Sequence, residues 1–110
     1  MTPKQFAKHL ALQPYCPHCG DTDTLVPNHR ANRGAGSPKS LGNASNVMVL
    51  CSRMNFLIES DAESAAVARR YGWKISKYDN ALDKPYYDLV AGRWYLLGDD
   101  FTKSDLPIQD

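Results

Sequence analysis

An α+β fold is what this chain predicts. Two β-rich runs flank a long glycine-bearing loop, helical spacing follows the second run, and the aromatic last third reads as a hairpin. At 110 residues it reads as one domain, 1–110, with a core of modest size. Inside it we expect a central unit over about 16–59, a helix and hairpin over about 60–98, and a loosely ordered tail over 99–110. Hydrophobic residues at 43% and charged residues at 23% argue against disorder. The formal net charge is only +1, so a nucleic-acid partner has to be argued from local clusters. The longest apolar run, Val47 to Cys51, is far too short to span a bilayer, and the N-terminus lacks a signal-peptide core. A cytosolic protein with no membrane partner is the expectation.

Thr2 before Pro3 has the form of an N-cap with proline at the first helical position. Phe6, Leu10 and the stem of Lys8 would form one face of a helix that stops before Pro14. His9 on that helix is read as exposed or capping. Cys16 to Gly20 reads as a tight turn, because Pro17 fixes one dihedral and Gly20 permits a positive φ. Leu25-Val26 opens a short strand ending at Pro27-Asn28-His29. Arg30 to Ser45 has no periodicity and contains Gly34, Gly36, Pro38 and Gly42, the signature of a functional or mobile loop.

Asn46-Val-Met-Val-Leu-Cys51 is the clearest strand, and Met54, Leu57 and Ile58 then recur at helical spacing. Ser60-Asp-Ala-Glu63 fits a capping box for a second helix, closed by Arg69, Arg70 and Gly72 at the C′ position. Tyr86 to Leu97 reads as a hairpin turning at Ala91-Gly92. The aromatic side chains of this region are expected to pack the hairpin against the helices rather than to stack bases.

The order Asn-His, basic loop, Asn, strand, Asn-bearing helix resembles the HNH, or ββα-metal, nuclease family. His29, Asn46 and Asn55 stand at its three signature positions. Asn46-Val-Met-Val-Leu-Cys51 is similar to the family's Asn-Leu-x-x-Leu-Cys segment. The Asn-His-Arg, Gly-Ala-Gly and Trp-Lys-Ile-Ser stretches look like those of small bacteriophage HNH proteins. The resemblance covers roughly Cys16 to Glu59. It implies a ββα-metal centre in which His29 activates water, Asn46 clamps the loop that orients it, and Asn28 and Asn55 bind Mg²⁺ or Mn²⁺. A histidine near neutral pKa suits a general base. Two positions depart from the family's pattern. Asn28 stands where Asp or His is usual, and Asn55 where His is usual, which makes this an HNN variant. Amide oxygens hold a hard cation weakly, and Glu59, one turn beyond Asn55, would supply the missing carboxylate.

Three cysteines, an odd number, speak against a disulfide framework. Many members of the family brace the unit with two Cys-x-x-Cys pairs around a structural Zn²⁺. Here the first pair is Cys16 and Cys19, but the second reads Cys51-Ser-Arg-Met54, and methionine is a poor zinc ligand. Two readings stand: zinc on Cys16, Cys19 and Cys51 with His18 or His9 as fourth ligand, or cysteines buried as small apolar residues. Arg30, Arg33, Lys39 and Arg53 form the local basic cluster and are read as contacts to DNA phosphates, which carry no sequence information. The expected function is metal-dependent hydrolysis of DNA phosphodiesters with little sequence preference, in phage DNA processing or recombination within the host cytoplasm. A catalytically inactive module binding nucleic acid or protein, and a zinc-binding adaptor, are the alternatives. Oligomeric state is not legible.

Overall fold

Thr2 starts the first helix. In the computed structural model, which describes residues 1–32 and 43–106, Thr2 Oγ1 accepts from the Gln5 amide while Gln5 Oε1 accepts from the Thr2 amide. This reciprocal cap satisfies two of the four amide donors that every helix start leaves open. The helix α1 runs Pro3–Leu12. Its buried face is not the one expected, for Phe6 and Leu10 are half-buried, whereas His9 is only 4% exposed.

The chain then turns at Cys16–Gly20, where the Gly20 amide donates to Cys16 O at 2.8 Å and Gly20 takes φ +80°. Strands β1 (Leu25–His29) and β2 (Val47–Cys51) pair antiparallel, with Leu25 opposite Cys51 and His29 opposite Val47. All five residues of β2 are buried because both of its faces are covered, so no inside–outside alternation is visible. On one face Met48 and Leu50 join Met54 and Ile58 in the core. On the edge, Gln13 caps the strand: its Oε1 accepts from the Val49 amide at 2.9 Å and its Nε2 donates to Val47 O at 3.5 Å. An edge strand left open would present free amides and carbonyls, and α1 removes that hazard.

Helix α2 (Ser52–Ser60) begins directly after β2, with Cys51 as N-cap and its Sγ accepting from the Met54 amide at 3.4 Å. Helix α3 (Ala62–Arg70) follows after a single residue. Its cap is Asp61 rather than the expected Ser60: Asp61 Oδ2 accepts from both the Ser64 amide and the Ser64 hydroxyl. Ser60 is unavailable because it still belongs to α2, where its hydroxyl donates to Phe56 O. Gly72 ends the unit at φ +73°, as the sequence suggests.

A second, three-stranded antiparallel sheet closes the fold: β3 (Tyr86–Asp88), β4 (Arg93–Leu97) and β5 (Lys103–Asp105), in that order. The hairpin falls where expected. Within the stretch expected to be a loose tail, Lys103–Asp105 pairs with β4, and 107–110 lie outside the described residues. Lys103 Nζ sits 4.2 Å from the Tyr95 ring centroid, and Arg93 Nη1 lies 2.9 Å from Asp105 Oδ2. Trp73, Tyr86 and Leu97 carry this half of the chain into one core with Met48, Leu50 and Met54, so the buried aromatics are packing groups, as read from the sequence. The fold is α+β, with three α-helices and two small sheets among the described residues. No helix among the described residues is long and apolar enough to cross a membrane.

Candidate active site and cysteine cluster

Alternation along β1 sends neighbouring side chains to opposite faces of the hairpin. Asn28, opposite Met48, goes to the α2 face. His29, opposite Val47, goes to the α1 face. There His29 borders a cavity of about 420 Å³ whose other walls include Gln5, His9, Asp99 and Phe101. His9, read from sequence as exposed or capping, is buried in this wall, its ring 4.9 Å from that of Phe101. Burial, and secondarily the charge of His29, lowers the His9 pKa below the usual histidine value. Phe101 is the only non-glycine residue with positive φ (59°) among those described. Asp99 is held by the Ser45 amide at 3.1 Å and by Asn43 Nδ2 at 3.3 Å.

Asn46 ties down the chain just beyond His29. Its Oδ1 accepts from the Ala31 amide at 2.9 Å, its Nδ2 donates to Ala31 O at 3.2 Å, and its backbone carbonyl accepts from the Arg30 amide at 2.8 Å. Ala31 is wholly buried, so these bonds supply what water cannot. The residue expected to clamp the loop thus holds Ala31 by both of its amide atoms.

On the other face, Asn28 Nδ2 donates to Trp73 O at 2.9 Å, which leaves Oδ1 buried with no donor among the described residues. Asn55 lies half-buried on α2, and Glu59 is exposed one turn further on. Glu59 is not idle: its Oε1 pairs with Lys74 Nζ at 2.9 Å. Lys74 Nζ also donates to His29 O at 2.7 Å and to Asn32 Oδ1 at 2.8 Å. One ammonium therefore links the end of α2 to the end of β1. The sequence reading passed over Lys74, noting only the Trp-Lys-Ile-Ser stretch that contains it.

The basic cluster needs correction. Arg30 cannot reach a phosphate, because it is fully buried and spends its donors on the carbonyls of Gly72, Ser45, Ala81, Lys84 and Pro85. Desolvation brings its pKa down to about 10, which still leaves it charged at neutral pH. Arg53 is exposed but sits at the Leu25–Cys51 end of the hairpin, roughly 13 Å of strand from the His29 end. Arg33 and Lys39 lie outside the described residues. Cations do converge elsewhere: Arg69, Arg70, Lys74 and Lys84, with Trp94, line a groove of about 560 Å³ that also holds Glu59 and Asp79. In the sequence Arg69 and Arg70 stand out only as the residues that close the second helix.

The three thiols meet. Cys16, Cys19 and Cys51 bring their sulfur atoms within 4.8 Å of one another, and Cys19 Sγ lies 3.9 Å from Cys51 Sγ. They could hold a metal ion such as zinc. Burial pushes the Cys16 thiol up to about 11, against the pull of the Cys51, Cys19 and His18 amides aimed at its sulfur. Neither expected fourth ligand is gathered with them. His9 is at the His29 cavity, and exposed His18 stands edge-on to the Trp73 ring with centroids 5.8 Å apart. Both Cys19 and Cys51 border a cleft of about 340 Å³ that His18 and Arg53 also line.

No protein-family profile, curated protein or solved structure gives a significant match to this chain.

Proposed function

We propose that this chain is a metal-dependent endonuclease that hydrolyses DNA phosphodiester bonds at the His29 end of the β1–β2–α2 unit. The observation that carries the reading is the two-point hold of Asn46 on Ala31, which fixes the backbone two residues after His29. A general base works only when its position is set before the substrate arrives. Lys74 adds a second restraint from the opposite side by donating to His29 O.

Candidate donors for a divalent ion are Asn28, Asn55 and Glu59, and the ion would approach the end of β1 from the α2 side while the His29 side chain lies on the α1 side. The fit rests on Asn28, whose Oδ1 is buried without a donor among the described residues, the form in which an amide oxygen serves a cation. Its orientation is set by the bond from Nδ2 to Trp73 O. Glu59 brings the one carboxylate, shared with Lys74. A bound Mg²⁺ or Mn²⁺ would stabilise charge on the phosphate. His29 then takes a proton from the attacking water, Asn46 keeps the loop in place, and Lys74 holds Glu59 against the end of β1. The groove lined by Arg69, Arg70 and Lys84 gives the DNA backbone a cationic track, and phosphate contacts of this kind carry no sequence information.

Plasmid nicking with Mg²⁺, Mn²⁺ or EDTA, run beside His29→Ala, tests this. Nicking that needs a divalent ion and drops at least 100-fold in the variant is expected. Equal nicking by both proteins would remove His29 from catalysis. Absence of nicking with either ion would leave the inactive binding module as the better account.

A further inference from the structure

Four aromatic rings touch one another in a row from the core to the surface. Trp73 is fully buried, and its ring centroid lies 5.5 Å from that of Tyr71. Tyr71 stacks on Tyr87 at 5.4 Å, and Tyr87 meets Trp94 at 5.1 Å with the planes 61° apart. Packing accounts for the first three, which are buried or half-buried, but Trp94 is 38% exposed. A lone surface tryptophan needs no explanation. Its place does, because it lines the same groove as Arg69, Arg70, Lys74 and Lys84. The two carboxylates of that groove are already engaged: Glu59 pairs with Lys74 at 2.9 Å, and Asp79 lies 3.9 Å from Lys84. Arg69 and Arg70, exposed at the end of α3, form no ion pair among the described residues. They are the surplus charge of the groove, and a polyanion is its complement.

An aromatic face beside guanidinium groups suits nucleotides whose bases are free to stack. In a duplex each base face is covered by its neighbours, so an indole has nothing to stack on until a base leaves the helix. The groove holds about 560 Å³, within the roughly 300–1,000 Å³ of clefts that take small ligands. That is room for a nucleotide or two and not for a double helix. We propose that this groove binds an unpaired stretch of DNA, with a base stacked on Trp94 and the adjoining phosphates on Arg69 and Arg70. DNA with a single-stranded portion is then the substrate class of the nuclease, an assignment that rests on the nuclease reading. Lys74 connects the two, since it lines the groove and also donates to His29 O. Glu59, a candidate donor to the divalent ion, lines the groove as well. A base seated on Trp94 therefore fixes how far the unpaired strand extends from the end of β1. Stacking tolerates every base, so the weak sequence preference is kept.

Binding is measured apart from cleavage, by fluorescence anisotropy in EDTA. The probes are a labelled oligothymidylate of about 15 nucleotides and the same strand annealed to its complement. Wild-type protein is expected to hold the single strand about tenfold more tightly than the duplex. Trp94→Leu keeps apolar bulk against Tyr87 but has no ring, and should lose about tenfold on the single strand and under about twofold on the duplex. Trp94→Phe keeps a ring and should stay within about threefold of wild type on both. Arg69→Gln combined with Arg70→Gln should weaken both forms and flatten the salt dependence on the single strand by about 1.4 in the log–log slope, two phosphates at about 0.7 each. Wild-type affinity in Trp94→Leu, equal losses on the two forms, or tighter wild-type binding to duplex would each overturn the proposal. So would a Trp94→Phe variant as weak as Trp94→Leu. If the single strand binds through Trp94 and no DNA is cut with Mg²⁺ or Mn²⁺, the nuclease reading fails and the single-strand site stands. If cutting depends on His29 while Trp94→Leu binds the single strand as wild type does, only the groove assignment fails.

Discussion

Asn46 shows how one side chain does work that its neighbours cannot. Its amide is the partner of both backbone groups of Ala31, a residue with no access to water. Removing the amide leaves a buried N–H and a buried C=O, each costing about 1–3 kcal/mol. Asn46→Ala is therefore expected to destabilise the protein by about 3 kcal/mol, read as a lower urea midpoint with unchanged slope, and to reduce nicking at least tenfold where the fold survives. A midpoint within error of wild type would show that the clamp is dispensable. The same scale explains what was legible. Asn46 stood out because its neighbours Val47 to Cys51 form an unmistakable strand. Arg30 misled, since its carbonyl acceptors come from residues 45, 72, 81, 84 and 85, and nothing near it in sequence announces burial. His9 misled for a related reason: helical spacing placed Phe6 and Leu10 inside, whereas His9 is the buried residue and packs on Phe101, far away in sequence.

At the scale of elements, local chemistry set most boundaries and tertiary contact set the rest. The Thr2–Gln5 cap and the Gly72 stop are short-range signals, and both are realised. The start of α3 slipped by one residue because Ser60 had a competing acceptor at Phe56 O. Strand β5 was invisible, since Lys-Ser-Asp carries no β signal and its pairing comes from Tyr95 and Arg93 across the sheet. Gly72 and Gly92 separate local from tertiary demands. Both have positive φ, +73° and +69°. A Cβ on Gly92 would meet only Tyr87 Oη at 3.8 Å, whereas one on Gly72 would fall 2.1 Å from Pro85 O. Gly92→Ala should cost about 1 kcal/mol. Gly72→Ala should cost roughly 4 kcal/mol, because α3 and β3 must also separate and the Arg30 bond to Gly72 O is disturbed. Urea melts followed by the fluorescence of buried Trp73 check the pair. Equal costs would mean that backbone conformation alone matters.

For the molecule as a whole, the cysteine cluster joins the turn before β1 to the junction of β2 and α2, so a metal there would tie distant parts of the chain together. Its pH behaviour has a definite sign. The Cys16 thiol is raised from an ordinary value of 9.0 to about 11 and is protonated at neutral pH. Without metal, the folded state favours the protonated thiol. That contribution is present below pH 9 and is lost as pH rises through about 11, so the metal-free protein should become less stable over that window. Zinc reverses the trend, because it binds the thiolate and must displace the proton. Its apparent affinity should rise with pH from 6 to 8, with protons released on binding, as calorimetry in two buffers of different ionisation enthalpy would count. Zinc at about 100 times its dissociation constant should add about 2.7 kcal/mol to unfolding free energy at constant pH. Cys16→Ser should remove most of that gain, since it deletes the most buried thiolate while leaving the turn at Gly20 intact. Zinc-induced stabilisation that is unchanged in Cys16→Ser, or an affinity indifferent to pH, would mean that the three sulfurs pack together without serving as a metal site.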